Sequence, residues 1–243
     1  MTVAVLEVIP NLFAPELNEP ALTLDGKPTR KIAAIHAAPR DDGAAQSYSM
    51  PTPMDTLVTA KSGRFEVGNV RYVAPRETGE FRFGQFNAMS ERGMCELYMT
   101  PAAMPGTSDL YAVLWDERSG EVWVDTNQDR DFSNEKLLHD YNTRHEVGAW
   151  VNDLPPDQKL GYAVSVDEKT HAVQVHVGWN SHTTGVASVL AGKGFFGGKM
   201  NGVAPGARLA LFPVHGTASI LLETVIRAAQ APDVDVISFA LAT

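Results

Sequence analysis

Cysteine is almost absent from this sequence, since Cys95 is the single cysteine among 243 residues. One thiol cannot form an internal disulfide, so a disulfide framework is excluded as the support of the fold. The neighbours of Cys95, Met94 and Glu96, supply no group that would activate a thiolate. We interpret Cys95 as a half-buried strand residue rather than as a nucleophile.

Positive charge is scarce as well. The chain has 20 Lys and Arg against 29 Asp and Glu, which gives a net charge of −9. The longest basic run is the pair Arg30-Lys31. Because nucleic-acid binding needs a basic face, we expect no nucleic-acid partner.

Long apolar runs are missing too. No stretch approaches the ~20 apolar residues that a membrane helix needs. The N-terminal segment Met1–Glu7 has neither the basic region nor the long apolar region of a signal peptide. We therefore expect no membrane partner, and the chain as written is predicted to be cytoplasmic.

Hydrophobic patterning predicts an α/β core formed by the two ends of the chain. Residues 2–7 and 31–36 are short apolar runs typical of buried strands. Residues 183–243 give a helix, a strand, a helix and a strand, which is the order found in a parallel sheet with flanking helices. The predicted elements are Thr183–Ala191, Arg208–Val214, Ala218–Gln230 and Val234–Leu241.

The middle of the chain has a different pattern. Between residues 57 and 177, short alternating segments separated by turns indicate antiparallel sheet, including a predicted strand at Cys95–Met99. Trp115 and Trp123 lie on adjacent predicted strands and are expected to stack across the hairpin. We predict a core formed by residues 1–38 and 178–243 and a β-rich insertion subdomain over residues 39–177.

One segment carries a pattern suited to catalysis. His182 opens a helix rich in small residues, which would let the helix lie close to a sheet. The turn Gly202–Ala207 follows and leads into the next predicted strand. A general base must be held rigidly at the edge of a cleft, and the first turn of a packed helix holds it in that way.

These residues resemble the subtilisin-like serine proteases, or subtilases. His182-Thr-Thr-Gly-Val-Ala187 resembles the family's His-Gly-Thr-His-Val-Ala, and Gly202–Ala207 matches its Gly-Val-Ala-Pro-Gly-Ala. Asp233–Leu241 resembles the strand that forms one wall of the family's substrate cleft. The resemblance implies a subtilisin-like parallel sheet, peptide-bond hydrolysis, and His182 as the general base.

The N-terminus resembles the first catalytic strand of the same family. Thr2–Asn11 is similar to Val-Ala-Val-Leu-Asp-Thr-Gly with the acidic residue and proline that follow, which puts Glu7 in the place of the catalytic aspartate. The roughly 175 residues between Glu7 and His182 resemble the large insertion of the tripeptidyl-peptidase II-like branch.

The departures from the family pattern affect the expected activity. Glu7 is one methylene longer than aspartate, and Thr183-Thr184-Gly185 replaces Gly-Thr-His. The family's serine motif lies beyond Thr243, and without a nucleophile no acyl-enzyme forms. We expect a subtilase fragment that is inactive as this chain and whose partner is a peptide or protein substrate, or a chain that completes the fold. The alternative is a non-catalytic peptide-binding or protein-binding module on the same scaffold.

An acidic loop is the candidate metal site. Asp125, Asn127, Asp129 and Asp131 place oxygen ligands at alternate positions, which suits Ca²⁺. Arg130 stands where such loops have glycine, and Lys136 stands where they have a bidentate glutamate. A polar turn stabilised by its own side chains is the alternative.

No other cofactor is predicted. Gly192–Gly197 matches Gly-x-Gly-x-x-Gly, but it leaves a helix, whereas the dinucleotide fingerprint leaves a strand. We expect no required cofactor and Ca²⁺ as the one candidate.

Overall fold

The computed structural model describes residues 1–38, 51–88, 110–151, 159–178, 180–214 and 218–240. The predicted strand at Cys95–Met99, with Cys95 itself, lies outside these residues. The chain divides into two compact units, one formed by Met1–Ser49 with Val177–Thr243 and the other by Met50–His176. In the described part of the chain, no helix has the length and apolar character needed to cross a membrane.

A four-stranded parallel sheet forms the centre of the first unit, in the order β16-β1-β15-β4. All three neighbouring pairs are parallel, so the predicted parallel α/β core is confirmed. The strands are β1 (Thr2–Leu6), β4 (Ile32–Ile35), β15 (Arg208–Phe212) and β16 (Val236–Phe239).

Strand β1 is buried along its whole length, as its continuous apolar run predicts. Its register pairs Ala4 with Ala210 and Leu6 with Phe212. These four side chains share one sheet face and form a core cluster with Ala228 of a helix over Ala218–Gln230. Burying side chains of the size of leucine and phenylalanine contributes about 1.5–3 kcal/mol each, which fixes this helix on the sheet.

Apart from two helices of 11 and 13 residues, the remaining elements of the first unit are short. The hairpin β2–β3 turns at Gly26, whose φ of 78° suits glycine. The unit contains β2 (Ala21–Leu22), β3 (Pro28–Thr29), α1 (Pro15–Asn18), α3 (Ser181–Ala191), α4 (Phe195–Gly198) and α5 (Ala218–Gln230).

The second unit is built from antiparallel strands, as the alternating pattern predicts. One sheet has the order β11-β10-β9-β6, another has the order β12-β13-β14-β5, and β7 and β8 form a hairpin. The elements are β5 (Thr52–Pro53), β6 (Thr56–Ala60), β7 (Arg64–Val67), β8 (Val70–Val73), β9 (Gly79–Asn87), β10 (Leu110–Asp116), β11 (Glu121–Val124), α2 (Tyr141–Arg144), β12 (Gly148–Ala149), β13 (Gly161–Asp167) and β14 (Ala172–Val177).

The predicted stacking of two tryptophans is wrong. In the β10–β11 pair, Trp123 lies opposite Leu114, while Trp115 lies opposite Val122. Neighbouring positions of a strand point to opposite faces, so the two indoles are on different sides of the sheet. Trp123 instead packs edge-on against Phe81 at 6.0 Å between ring centroids.

Candidate active site

Glu7 is the first residue after β1, at the carboxyl end of the parallel sheet. Its backbone carbonyl accepts a hydrogen bond from Val214 N at 3.3 Å, just beyond the end of β15. The Glu7 side chain is only 5% exposed. The sheet therefore holds a carboxyl group at the edge where open parallel sheets bind their ligands.

His182 is fixed by the start of helix α3. Asn180 is the N-cap residue, and its Oδ1 accepts a hydrogen bond from Thr183 N at 2.9 Å. Such a cap satisfies one of the free N–H groups of the first turn and fixes where the helix begins. The His182 side chain projects from this turn and is 58% exposed.

The structure brings Glu7 and His182 together, although about 175 residues separate them in the chain. Glu7 Oε1 lies 3.7 Å from His182 Nδ1, within ion-pair range but longer than a hydrogen bond. The other carboxylate oxygen, Oε2, accepts a hydrogen bond from Thr183 Oγ1 at 3.4 Å. The carboxyl group thus faces the ring nitrogen that an orienting acid contacts in a catalytic triad.

Thr183 and Thr184 have roles that were not predicted from the sequence, where they counted only as departures from a motif. Thr183 contacts the Glu7 carboxylate, and Thr184 Oγ1 accepts a hydrogen bond from Asn11 N at 2.8 Å. Thr184 Oγ1 also donates to Asn180 O at 2.8 Å. The two hydroxyls tie the segment after β1 to the first turn of α3.

Burial dominates the electrostatics of Glu7. Loss of water around the carboxyl group raises its pKa above the usual value of 4.5, while the His182 charge and the Thr183 hydrogen bond lower it less strongly. Glu7 Oε1 is buried and accepts no hydrogen bond among the described residues. The carboxylate is therefore close enough to interact with the imidazole, but the described residues give it too few hydrogen-bond donors to replace the water that it has lost.

The turn Gly202–Ala207 is hydrogen-bonded to the C-terminal end of α3. Val203 N donates to Val189 O at 2.8 Å, and Ala204 N donates to Leu190 O at 2.8 Å. These bonds satisfy carbonyl groups that a helix end leaves without intrahelical partners. A Cβ atom on Gly202 would lie 2.5 Å from Ser188 O, so only glycine allows this approach.

The chemistry open to the pair depends on the free side of the His182 ring. An imidazole oriented through Nδ1 keeps Nε2 available to accept a proton. In the described residues, the ion pair with Glu7 is the one polar contact of the His182 ring that the structure shows, and no serine or cysteine is hydrogen-bonded to it. The described residues thus bring an imidazole and a carboxyl group together and place no hydroxyl or thiol group on the ring.

A second serine–histidine contact lies in the β-rich unit. Ser165 Oγ and His176 Nε2 are 2.9 Å apart, on β13 and β14. Ser165 is 7% exposed and His176 is fully buried. A substrate cannot reach this pair, so we interpret it as a hydrogen bond that satisfies two buried polar groups.

The candidate metal residues form a loop after β11, in the second unit. Asn127 Oδ1 accepts from Asp129 N at 3.0 Å, Asp129 Oδ1 accepts from Asp131 N at 2.8 Å, and Asp131 Oδ1 accepts from Ser133 N at 2.8 Å. These are the turn hydrogen bonds of the alternative interpretation. Over the described residues, no three His, Cys, Asp or Glu side chains are grouped so that they could hold a metal ion.

Comparison with known proteins shows a likeness of fold. No protein-family model matches the chain. The crystal structure of tripeptidyl peptidase 2 (TPP II) superposes with a TM-score of 0.66 at 16% sequence identity. The match covers 98% of this chain and 23% of that chain, so this sequence spans about a quarter of the length of the protein it resembles.

Proposed function

We propose that the chain forms the acid–base part of a subtilase-type serine peptidase, with His182 as the general base and Glu7 as the group that orients it. The observation that carries the proposal is the 3.7 Å approach of Glu7 Oε1 to His182 Nδ1 at the carboxyl edge of a parallel sheet. The likeness of fold to tripeptidyl peptidase 2 supports a peptidase-related scaffold.

In this role His182 Nε2 takes the proton of an attacking hydroxyl, and Glu7 holds the ring in place and stabilises the imidazolium that forms. The substrate is a peptide or a protein. The hydroxyl nucleophile in this proposal belongs to another segment, since no hydroxyl group of the described residues is hydrogen-bonded to the His182 ring.

Alkylation of His182 tests the proposal without requiring a nucleophilic serine. A peptidyl chloromethyl ketone reacts when an imidazole nitrogen forms a bond to its methylene carbon and displaces chloride. We expect mass spectrometry to find His182 alkylated at least about tenfold faster in the wild type than in Glu7→Gln, with His171 as the internal standard, because its own contact with Glu117 at 3.0 Å does not change. A tenfold difference in rate corresponds to about 1.4 kcal/mol.

The variant Glu7→Gln should slow the alkylation of His182, since the carboxylate no longer orients the ring, and should leave the alkylation of His171 unchanged. A fluorophosphonate should label no serine of the 243-residue chain. The same His182 rate in both proteins would contradict the proposed role of Glu7, and a serine adduct would contradict the absence of a nucleophile.

A non-catalytic peptide-binding module is the second candidate. It is favoured by Glu7 Oε1, which is buried without a hydrogen-bond donor among the described residues and lies beyond hydrogen-bond distance of the ring. In that case fluorescence anisotropy would show binding of labelled peptides. The His182 alkylation rate would then be the same in the wild type and in Glu7→Gln.

A further inference from the structure

The loop that follows β11 contains a buried carboxylate oxygen without a donor. Asp125 is 3% exposed, and its Oδ1 has no hydrogen-bond partner in the described part of the chain. Its Oδ2 accepts from Arg130 N at 3.1 Å, across the turn of the loop. The Asp125 carboxylate therefore lies inside the loop, and one of its oxygens is buried there without a donor.

Leaving this oxygen unpaired is costly, because a buried acceptor without a donor has lost its water and gained no partner in exchange. A cation inside the loop would supply the missing partner.

Glu135 supplies a second carboxylate to the same place, although it was not among the metal ligands predicted from the sequence. Its Oε1 accepts from Thr126 N at 2.6 Å, next to Asp125 in the chain. The Glu135 carboxylate is close enough to Asp125 for the two negative charges to repel each other. If Asp125 is position 1 of the loop, Glu135 is position 11. The carboxylate that closes a calcium-binding loop usually stands one residue later, at the position of Lys136.

Arg130 stands where calcium-binding loops have glycine, but its backbone conformation agrees with such a loop. Arg130 has φ 66°, which is the left-handed conformation that glycine adopts at this position of calcium loops. A non-glycine residue adopts this conformation only at an energetic cost. The backbone at Arg130 thus has the conformation that a calcium-binding loop requires at this position, although the residue is not glycine.

We propose that the loop from Asp125 to Glu135 binds a calcium ion, with Asp125 Oδ1 as its anchoring ligand and Glu135 closing the site. Asn127 and Asp129 contribute side-chain oxygens, and Asp131 contributes its backbone carbonyl. If Glu135 is bidentate, six oxygens surround the ion, within the range that Ca²⁺ prefers.

Binding requires these side chains to move towards one another, because they are not grouped around a common point in this structure, and it exchanges existing contacts for metal contacts. Asn127 Nδ2 gives up its hydrogen bond to Asp129 Oδ2, now 2.9 Å long, and Glu135 turns from Thr126 towards Asp125. Asp131 keeps the hydrogen bonds that its side chain accepts from Ser133. We therefore propose its backbone carbonyl as the ligand, in place of the side-chain oxygen that was predicted from the sequence.

Calorimetric titration of the full 243-residue chain, stripped with EDTA, tests this site. We expect heat from a single Ca²⁺ site with a dissociation constant on the order of 10⁻⁵–10⁻³ M. Thermal unfolding should show a midpoint at least about 4 °C higher in 10 mM CaCl₂ than in EDTA. Mg²⁺ should give a smaller rise, because it demands a tighter octahedral shell.

Variants assign the site. Asp129→Asn and Glu135→Gln should each weaken Ca²⁺ binding at least about tenfold, because each removes a charged ligand. Asp167→Asn is the matched control, since Asp167 also accepts a backbone hydrogen bond in a turn, from Lys169 N at 3.0 Å, but belongs to another turn. It should bind Ca²⁺ within about twofold of the wild type.

Asp129 is exposed, so its variant tests binding even if Glu135→Gln disturbs folding. The proposal is overturned if the wild type gives no heat and the same unfolding midpoint in Ca²⁺ and EDTA. It is also overturned if Asp129→Asn binds Ca²⁺ as tightly as Asp167→Asn does.

Discussion

Glu7 shows how a residue suited to a site can weaken the fold. Its carboxyl group is buried, accepts one long hydrogen bond from Thr183 and lies near one exposed histidine. Because burial has the largest effect, the pKa of Glu7 is raised in the folded chain. Holding this group ionised next to His182 therefore costs stability.

The variant Glu7→Gln should reveal this cost through the pH dependence of stability. Between the unfolded and the raised folded pKa of Glu7, the unfolded chain has released its proton and the folded chain has not, so stability falls as pH rises through this interval. Glutamine does not titrate and can still accept the Thr183 hydrogen bond. We expect Glu7→Gln to melt a few degrees higher than the wild type at pH 8 and at nearly the same temperature near pH 4.

Differential scanning calorimetry at both pH values measures this difference. A lower melting temperature for Glu7→Gln than for the wild type at pH 8 would contradict the prediction, because it would mean that attraction to His182 outweighs the burial of the carboxylate.

At the residue scale, the sequence predicted which residues would meet but not what connects them. Glu7 and His182 were identified from motif positions, and the structure places them side by side. The contribution of Thr183 and Thr184 was missed because a hydroxyl that differs from a motif carries no local signal. Their partners, Glu7 and Asn11, are more than 170 residues away in the chain.

At the scale of elements, helix α3 is fixed at both ends by motif residues. Asn180 caps its start, and the backbone at 202–204 satisfies its last carbonyls. Two glycines of these motifs have opposite surroundings. A Cβ on Gly202 would meet Ser188 O and Val189 O at 2.5 and 2.7 Å, whereas a Cβ on Gly185 would meet nothing within 4 Å.

The two alanine variants should therefore change stability in opposite directions. Gly202→Ala forces helix and turn apart and should cost at least about 2 kcal/mol, or about 4–8 °C in melting temperature. Gly185→Ala lies within the helix and should stabilise it by roughly 0.5–1 kcal/mol. Thermal unfolding of both variants checks this, and a Gly202→Ala variant as stable as the wild type would refute the close approach.

Element type was more predictable than register. The apolar run at residues 2–7 indicated a strand, and the structure has β1 there. The alternating pattern between residues 57 and 177 indicated antiparallel strands without showing their pairing. Within it, residues 64–73 form the hairpin β7–β8, which turns at Gly68 with φ 59°. The predicted stacking of Trp115 and Trp123 was wrong for a related reason, since a shift of one position in the pairing of two strands moves a side chain to the other face of the sheet.

At the scale of the whole molecule, two kinds of sheet are formed by different parts of the chain. The parallel sheet needs segments from both ends of the chain, and periodicity alone could not show which strands are neighbours. In the described residues, β16 is an edge strand of this sheet and exposes Val236, Ile237 and Phe239. An exposed apolar edge suits further pairing, so a chain that completes the fold stays a prediction.

The position of the imidazole proton of His182 tests the central claim most directly. The contact of Glu7 with His182 exists only when residues about 175 positions apart are joined by the folded parallel sheet. At a pH where the ring is neutral, ¹⁵N NMR of the full chain should show the proton on Nδ1 and a free Nε2, and Glu7→Gln should reduce this preference. A proton on Nε2 in the wild type, or the same tautomer distribution in both proteins, would contradict the claim that Glu7 orients His182 as a base.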